Sequence, residues 1–188
     1  MIPPLVVLDA SGPLARVLSE PEAPMMAAAT ARWSRTGARI LVPDHFWLEI
    51  TNPLIRRHRW STAEVAAALR ELDALSPEVV AADRPLLLLA TELAEQHGLT
   101  TYDAMYAALA QVTGATLATF DRALRRAFPS LLEPGFGEIP PLGVHEAAVP
   151  YRADRPERPA GWTDWSEVGR YLGVLRRRAI ADAEAGRP

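Results

Sequence analysis

LVVLDAS, residues 5–11, is the stretch whose reading decides the fold. Leu5 to Leu8 are all apolar, two of them β-branched, with no polar residue alternating between them. That is the pattern of a strand buried on both faces, as strands are in a parallel sheet. Asp9 closes the run, and Ser11-Gly12-Pro13 turns the chain away. The same grammar recurs downstream. ARILVP (38–43), EVVAA (78–82) and ATLAT (115–119) read as further strands, the last followed by Asp121.

Helical patterns fill the spaces between them. Residues 13–19 and 22–36 are helical by composition, with Gly37 as a stop. Asp44 is expected to cap a helix over 45–59. Ser61 and Glu64 form a capping-box pattern opening the helix 62–75. Pro85 sits in the first turn of a helix reaching His97, with Gly98 after it. Thr100 or Thr101 caps 102–112, Gly114 ends it, and 121–128 is a last short helix. Strands alternating with helices define an α/β domain with a central parallel sheet.

Composition changes near residue 133. Of the 56 residues from 133 to 188, 14 are Pro or Gly, against 14 of the 132 before them. The expected organisation is a domain over 1–132 and a loop-rich extension over 133–188. The extension carries one amphipathic helix marked by Trp165, Val168, Leu172 and Leu175, which Thr163 or Asp164 would cap. There is no cysteine, which excludes disulfides, thiolate zinc sites and cysteine nucleophiles. The N-terminus lacks a signal-peptide pattern and no apolar run is long enough to span a bilayer, so a soluble cytoplasmic protein is expected. The net charge of −3 argues against a general electrostatic coat for nucleic acid. All 20 basic residues are arginine, which codon bias explains, yet arginine is also the better phosphate partner.

Four acids stand out: Asp9, Glu49 in PDHFWLEITN, Asp103 in GLTTYDAMYAALA, and Asp121 in ATLATFDRAL. Each sits in apolar sequence at the end of a strand or near the start of a helix, where a lone carboxylate is costly to bury. Ligands of parallel α/β sheets bind beyond the carboxyl ends of the strands, so Asp9 and Asp121 can meet there. Each acid also has a structural reading: Asp9 as a turn residue, Asp103 favoured by a helix dipole, Asp121 as an N-cap. Glu49, on an apolar helix face with Phe46 and Ile50, is the hardest to explain that way. Together the acids would repel, and a divalent cation makes such a cluster tolerable.

The strand ending Asp-x-Ser, the Glu followed three residues later by Asn, the TxYDAxYxALA helix and the closing LATFDRAL resemble the PIN-domain ribonucleases. The likeness is strongest to the VapC toxins of bacterial toxin–antitoxin pairs and covers roughly residues 5–130. The resemblance implies a three-layer sandwich, a parallel sheet flanked by helices. It also implies that Asp9, Glu49, Asp103 and Asp121 form a site for Mg²⁺, with Mn²⁺ as a substitute. Water on the ion would attack an RNA phosphodiester, leaving a 5′-phosphate and a 3′-hydroxyl. Ser11, Asn52 and Thr119 fall at accessory polar positions. A cognate antitoxin whose tail occupies the pocket, and a toxin homodimer, are the implied partners. An all-oxygen ligand set suits Mg²⁺.

Pro53 lies four residues after Glu49, inside the expected helix, and should kink it at the glutamate, which puts activity rather than fold in question. A catalytically silent PIN module that binds RNA or protein is therefore a second reading. A haloacid-dehalogenase-like phosphatase is discounted, because Ser11 stands where that family needs a second Asp. Arg56, Arg57, Arg59, Arg122, Arg125 and Arg126 read either as a solvated face or as phosphate contacts. Trp60 is a candidate base-stacking platform, with helix-end packing as the plainer role. Tyr102, Met105, Tyr106 and Leu109 read as core or dimer contacts. The four histidines, His45, His58, His97 and His145, show no metal-ligand spacing and read as surface or cap residues.

Overall fold

The computed structural model describes residues 3–137. Four strands form one sheet: β1 (Leu5–Leu8), β2 (Arg39–Pro43), β3 (Glu78–Val80) and β4 (Thr116–Ala118), in the order β3-β2-β1-β4. All three pairings are parallel, with Val6 beside Ile40 on one side and Thr116 on the other. Val6, Val7 and Leu8 are all buried, as is Leu117, so helices cover both faces of the sheet centre. This is the parallel sheet flanked by helices that the sequence implied.

The helices are α1 (Ser11–Val17), α2 (Ala23–Thr36), α3 (Phe46–Arg56), α4 (Thr62–Asp73), α5 (Arg84–His97), α6 (Thr101–Thr113) and α7 (Arg122–Ala127). Helix α6 packs under the sheet and is nearly encased, with every residue from Ala104 to Ala110 buried. Its alanines allow that close approach. Gly12 does the same for α1: a Cβ there would come within 3.0 Å of the Met26 sulfur on α2.

Local chemistry explains most boundaries. Ser61 and Glu64 form the reciprocal capping box at the start of α4. Thr100 caps α6, Asp83 caps α5, and Gly37, Gly98 and Gly114 end α2, α5 and α6 in the left-handed conformation.

Three expectations are corrected. Asp44 does not cap α3. His45 holds the N-cap position without a side-chain bond, while Asp44 Oδ2 accepts from the Ala82 amide at 3.3 Å. Helix α1 begins at Ser11, so the expected Ser-Gly-Pro turn is already its first turn, where proline is tolerated. Helix α3 stops at Arg56 rather than reaching 59, with Pro53 inside it. Arg59 lies beyond it with φ +60°.

Residues 133–137, which composition grouped with the extension, pack into this domain. The Glu133 amide donates to the Leu117 carbonyl at 2.8 Å, continuing beside β4. The buried Glu133 carboxylate accepts from Arg32 Nη2 at 2.8 Å, Trp33 Nε1 at 2.9 Å and the Thr116 hydroxyl. Phe136 is fully buried and stacks near Trp33 and Phe120. The expected helix around Trp165 and the Arg176–Arg178 run lie outside the described residues.

Candidate metal centre

Strand order reverses at β1, whose two neighbours are β2 and β4, and the crevice beyond the carboxyl ends of β1 and β4 is where such sheets bind ligands. Asp9 stands there, buried, the residue after β1. Its Oδ2 accepts from the Ser11 hydroxyl at 2.5 Å and from the Thr119 hydroxyl at 2.7 Å. Each hydroxyl is itself fixed by the turn after β4: Ser11 Oγ accepts from the Phe120 amide at 2.9 Å, Thr119 Oγ1 from the Asp121 amide at 3.0 Å. Both donors fall on one oxygen. Among the described residues no hydrogen bond reaches Oδ1, which stays available to a ligand.

Burial pushes the Asp9 carboxyl up to about 6, against the pull of its two hydroxyl donors and with the charges of Glu49 and Asp121 adding to the rise. Glu49, half-buried on α3 between the buried Phe46 and Ile50, is also raised, first by burial and further by the charge of Asp103. The acids therefore feel one another across the crevice. Tyr106 of α6 donates to Glu49 Oε2 at 2.5 Å. Burial, with the charges of Asp9 and Glu49 behind it, pushes the phenol upward and keeps it a proton donor.

Asp103, in the first turn of α6, pairs with its own cap: Thr100 Oγ1 donates to Asp103 Oδ2 at 2.6 Å and accepts from the Asp103 amide at 3.1 Å. Asp121 is the N-cap of α7, with Oδ1 accepting from the Leu124 amide at 2.8 Å. Its structural reading thus holds, and one oxygen is left over for the site.

Among the described residues no three His, Asp or Glu side chains converge closely enough to form a ready-made metal cage. The donor set still fits a hard cation. Mg²⁺ is commonly held by one or two carboxylates and keeps several waters, which asks for spaced oxygens rather than a tight cage.

A model of the PIN domain matches residues 6–128. The chain belongs to the PIN-domain family. It is 52% identical to Ribonuclease VapC3 of Pyrobaculum aerophilum over 42 residues, a match covering 22% of this chain and 32% of that relative. The match thus spans about a third of the relative's length. Among solved structures it is similar to Mycobacterium tuberculosis VapC20, described as a sarcin-ricin loop cleaving toxin, with TM-score 0.53, 18% identity, and coverage of 65% of this chain and 94% of that one. It is also similar to VapBC2 of Rickettsia felis, described as bound to a DNA fragment from its promoter, with TM-score 0.53, 16% identity, and coverage of 68% and 96%. These two likenesses are likenesses of fold.

Within this PIN domain the other sequence candidates separate. Ser11 and Thr119 hold Asp9, as described. Asn52 is exposed on α3 and makes no hydrogen bond to the acids. Arg56, Arg57, Arg59, Arg122 and Arg126 are exposed, whereas Arg125 is partly buried and donates to the Gly137 carbonyl at 3.1 Å, a tether within the domain. Trp60 packs against the core, in keeping with the helix-end role. Met105, Tyr106 and Leu109 are core, but Tyr102 is 66% exposed.

Two residues of the site were missed as such. Tyr106 reads as plain core because its hydroxyl partner, Glu49, is 57 positions away in sequence. His45 reads as a cap, and it is the α3 N-cap, yet its ring lies edge-on to Tyr102 and Tyr106 with Nε2 3.7 Å from Glu49 Oε2. Burial holds its pKa below the ordinary histidine value, which favours the neutral ring. The signal that could have found it is the spacing His45-x-x-x-Glu49, one helical turn.

Proposed function

We propose that this PIN domain is a divalent-cation-dependent endoribonuclease, the toxin component of a VapC-type pair. The observation carrying the reading is Asp9, a carboxylate raised chiefly by its burial and further by its acidic neighbours, held through one oxygen and open at the other. The stretch shared with Ribonuclease VapC3 supports the class.

Asp9, Glu49, Asp103 and Asp121 would hold Mg²⁺ or Mn²⁺, which when bound supplies acidified water and neutralises charge on a phosphate. The chain's own part is positional. Ser11 and Thr119 lock Asp9, Tyr106 and His45 flank Glu49, and Thr100 fixes Asp103. Arg56, Arg57, Arg59, Arg122 and Arg126 border the helices that carry Glu49 and Asp121 and would take RNA phosphates. A cognate antitoxin over the acids and a homodimer in the cytoplasm complete this reading. Among the described residues no helix is long and apolar enough to cross a membrane.

A catalytically silent module is the second reading, favoured by the lack of three converging acids. A cleavage assay separates them. The full chain should cut single-stranded RNA in Mg²⁺ and stop in EDTA, and Asp103→Asn should lose the activity. Intact RNA at every Mg²⁺ concentration would leave the silent module standing.

A further inference from the structure

One wall of the candidate centre opens into a cavity of about 300 Å³ between α1, α3 and the turn after β4. Ser11 and Asp121 belong to both, so whatever fills the cavity adjoins Asp121 and the hydroxyl that holds Asp9. Leu14, Leu18, Pro53 and Phe120 supply the cavity's apolar lining, and Glu20, Glu22, Arg57 and His58 join Asp121 as its ionisable groups. Ser19, at φ +53°, ends α1 in the left-handed region and turns the chain into the short stretch bearing both glutamates. A non-glycine residue held there is uncommon, so the turn is imposed by its surroundings.

Among the described residues neither glutamate nor Arg57 has an ion-pair partner. Carboxylates lining a cavity beside an acidic centre disfavour a phosphate there and favour a ligand group that donates hydrogen bonds. A nucleobase does. Of the four bases, guanine alone presents a ring N–H and an adjacent exocyclic amino group that match both oxygens of one carboxylate. Apolar walls suit the base faces, and Arg57 suits the phosphate of the same nucleotide.

We propose that this cavity is a base-recognition subsite for an unpaired guanine nucleotide flanking the cut, with Glu20 or Glu22 reading its Watson–Crick edge. The inference rests on the ribonuclease reading for its biological meaning, but not for its binding chemistry. A good bidentate contact to a base is worth about tenfold or more in discrimination.

Two assays on the full chain test it. In the first, single-stranded oligonucleotides carrying one guanine, or adenine in its place, are cleaved in Mg²⁺. The wild type should prefer guanine by about tenfold, and Glu20→Gln/Glu22→Gln should bring the ratio near one. In the second, guanosine, adenosine, cytidine and uridine 5′-monophosphates are titrated in EDTA, with binding read by NMR shifts of the Leu14 and Leu18 methyls. Guanosine monophosphate should bind preferentially, and the double variant should erase the preference. Base-selective binding without any RNA cleavage would support the subsite while removing the nuclease reading. Cleavage with no base preference, or a preference the double variant leaves intact, overturns the subsite and keeps the nuclease. Methyl shifts produced by an apolar peptide tail and by none of the four nucleotides would assign the cavity to a protein partner and overturn it too.

Discussion

Replacing Asp9 by Asn should stabilise the cation-free protein at neutral pH. The Asp9 carboxyl is raised from 3.8 to about 6, chiefly because burial penalises its charged form. At 1.36 kcal/mol per unit, that is about 3 kcal/mol of folding free energy. The sign follows from which state keeps the proton. Between the two pKa values the folded protein holds a proton that the unfolded chain has released. The group's contribution is therefore full below pH 3.8 and is lost as the pH climbs through 6. Asn cannot ionise and escapes this loss. Its single side-chain oxygen can still accept from Ser11 and Thr119, so part of the packing is kept. Urea unfolding of wild type and Asp9→Asn in EDTA, at pH 4 and pH 7.5, reads the difference. The variant's advantage should grow by about 2.4 kcal/mol between the two pH values, because at pH 4 part of the effect is already present. Saturating Mg²⁺ should stabilise the wild type alone, by about 2.7 kcal/mol at a hundredfold excess over Kd. A difference that is flat with pH, or a wild type more stable than the variant in EDTA at pH 7.5, would refute the electrostatic account.

Tyr106→Phe removes only the hydroxyl on Glu49, so stability by urea melting should fall by about 1–3 kcal/mol. Divalent-cation affinity should also fall, roughly tenfold or more, as expected when a group orienting a ligand is lost. Truncation after residue 132 should destabilise the domain by on the order of 3 kcal/mol, because Arg32 and the Trp33 indole lose the buried Glu133 carboxylate. Truncation after 137, which keeps every described residue and the Glu133 contacts, should spare that loss; circular dichroism melting of both truncations checks this.

The sheet was legible because its centre is buried on both faces, which leaves LVVL and the run around Leu41 with no polar alternation to misread. Helix ends written in local chemistry, such as the Ser61–Glu64 box and Gly98, were legible because the whole signal lies within a few residues. Asp44 was not. An aspartate before a helix looks the same whether it caps that helix or turns to the Ala82 amide, 38 positions on. Glu133 was hidden by its Pro- and Gly-rich surroundings and by partners a hundred residues upstream. Of the candidate site, the acids could be picked out as candidates from their apolar settings. The groups that aim them could not: the Tyr106 hydroxyl and the His45 ring are ordinary residues until the fold brings α6 beside α3.

The central claim is that Asp9 and its acidic neighbours hold a divalent cation. Titrating Mn²⁺ into the full-length protein, with free ion counted by electron paramagnetic resonance, tests it directly. The account predicts saturable Mn²⁺ binding by the wild type, displaced by excess Mg²⁺ and lost in Asp9→Asn while the fold persists. Binding curves that are the same for wild type and Asp9→Asn, or a wild type that takes up no Mn²⁺, would contradict it.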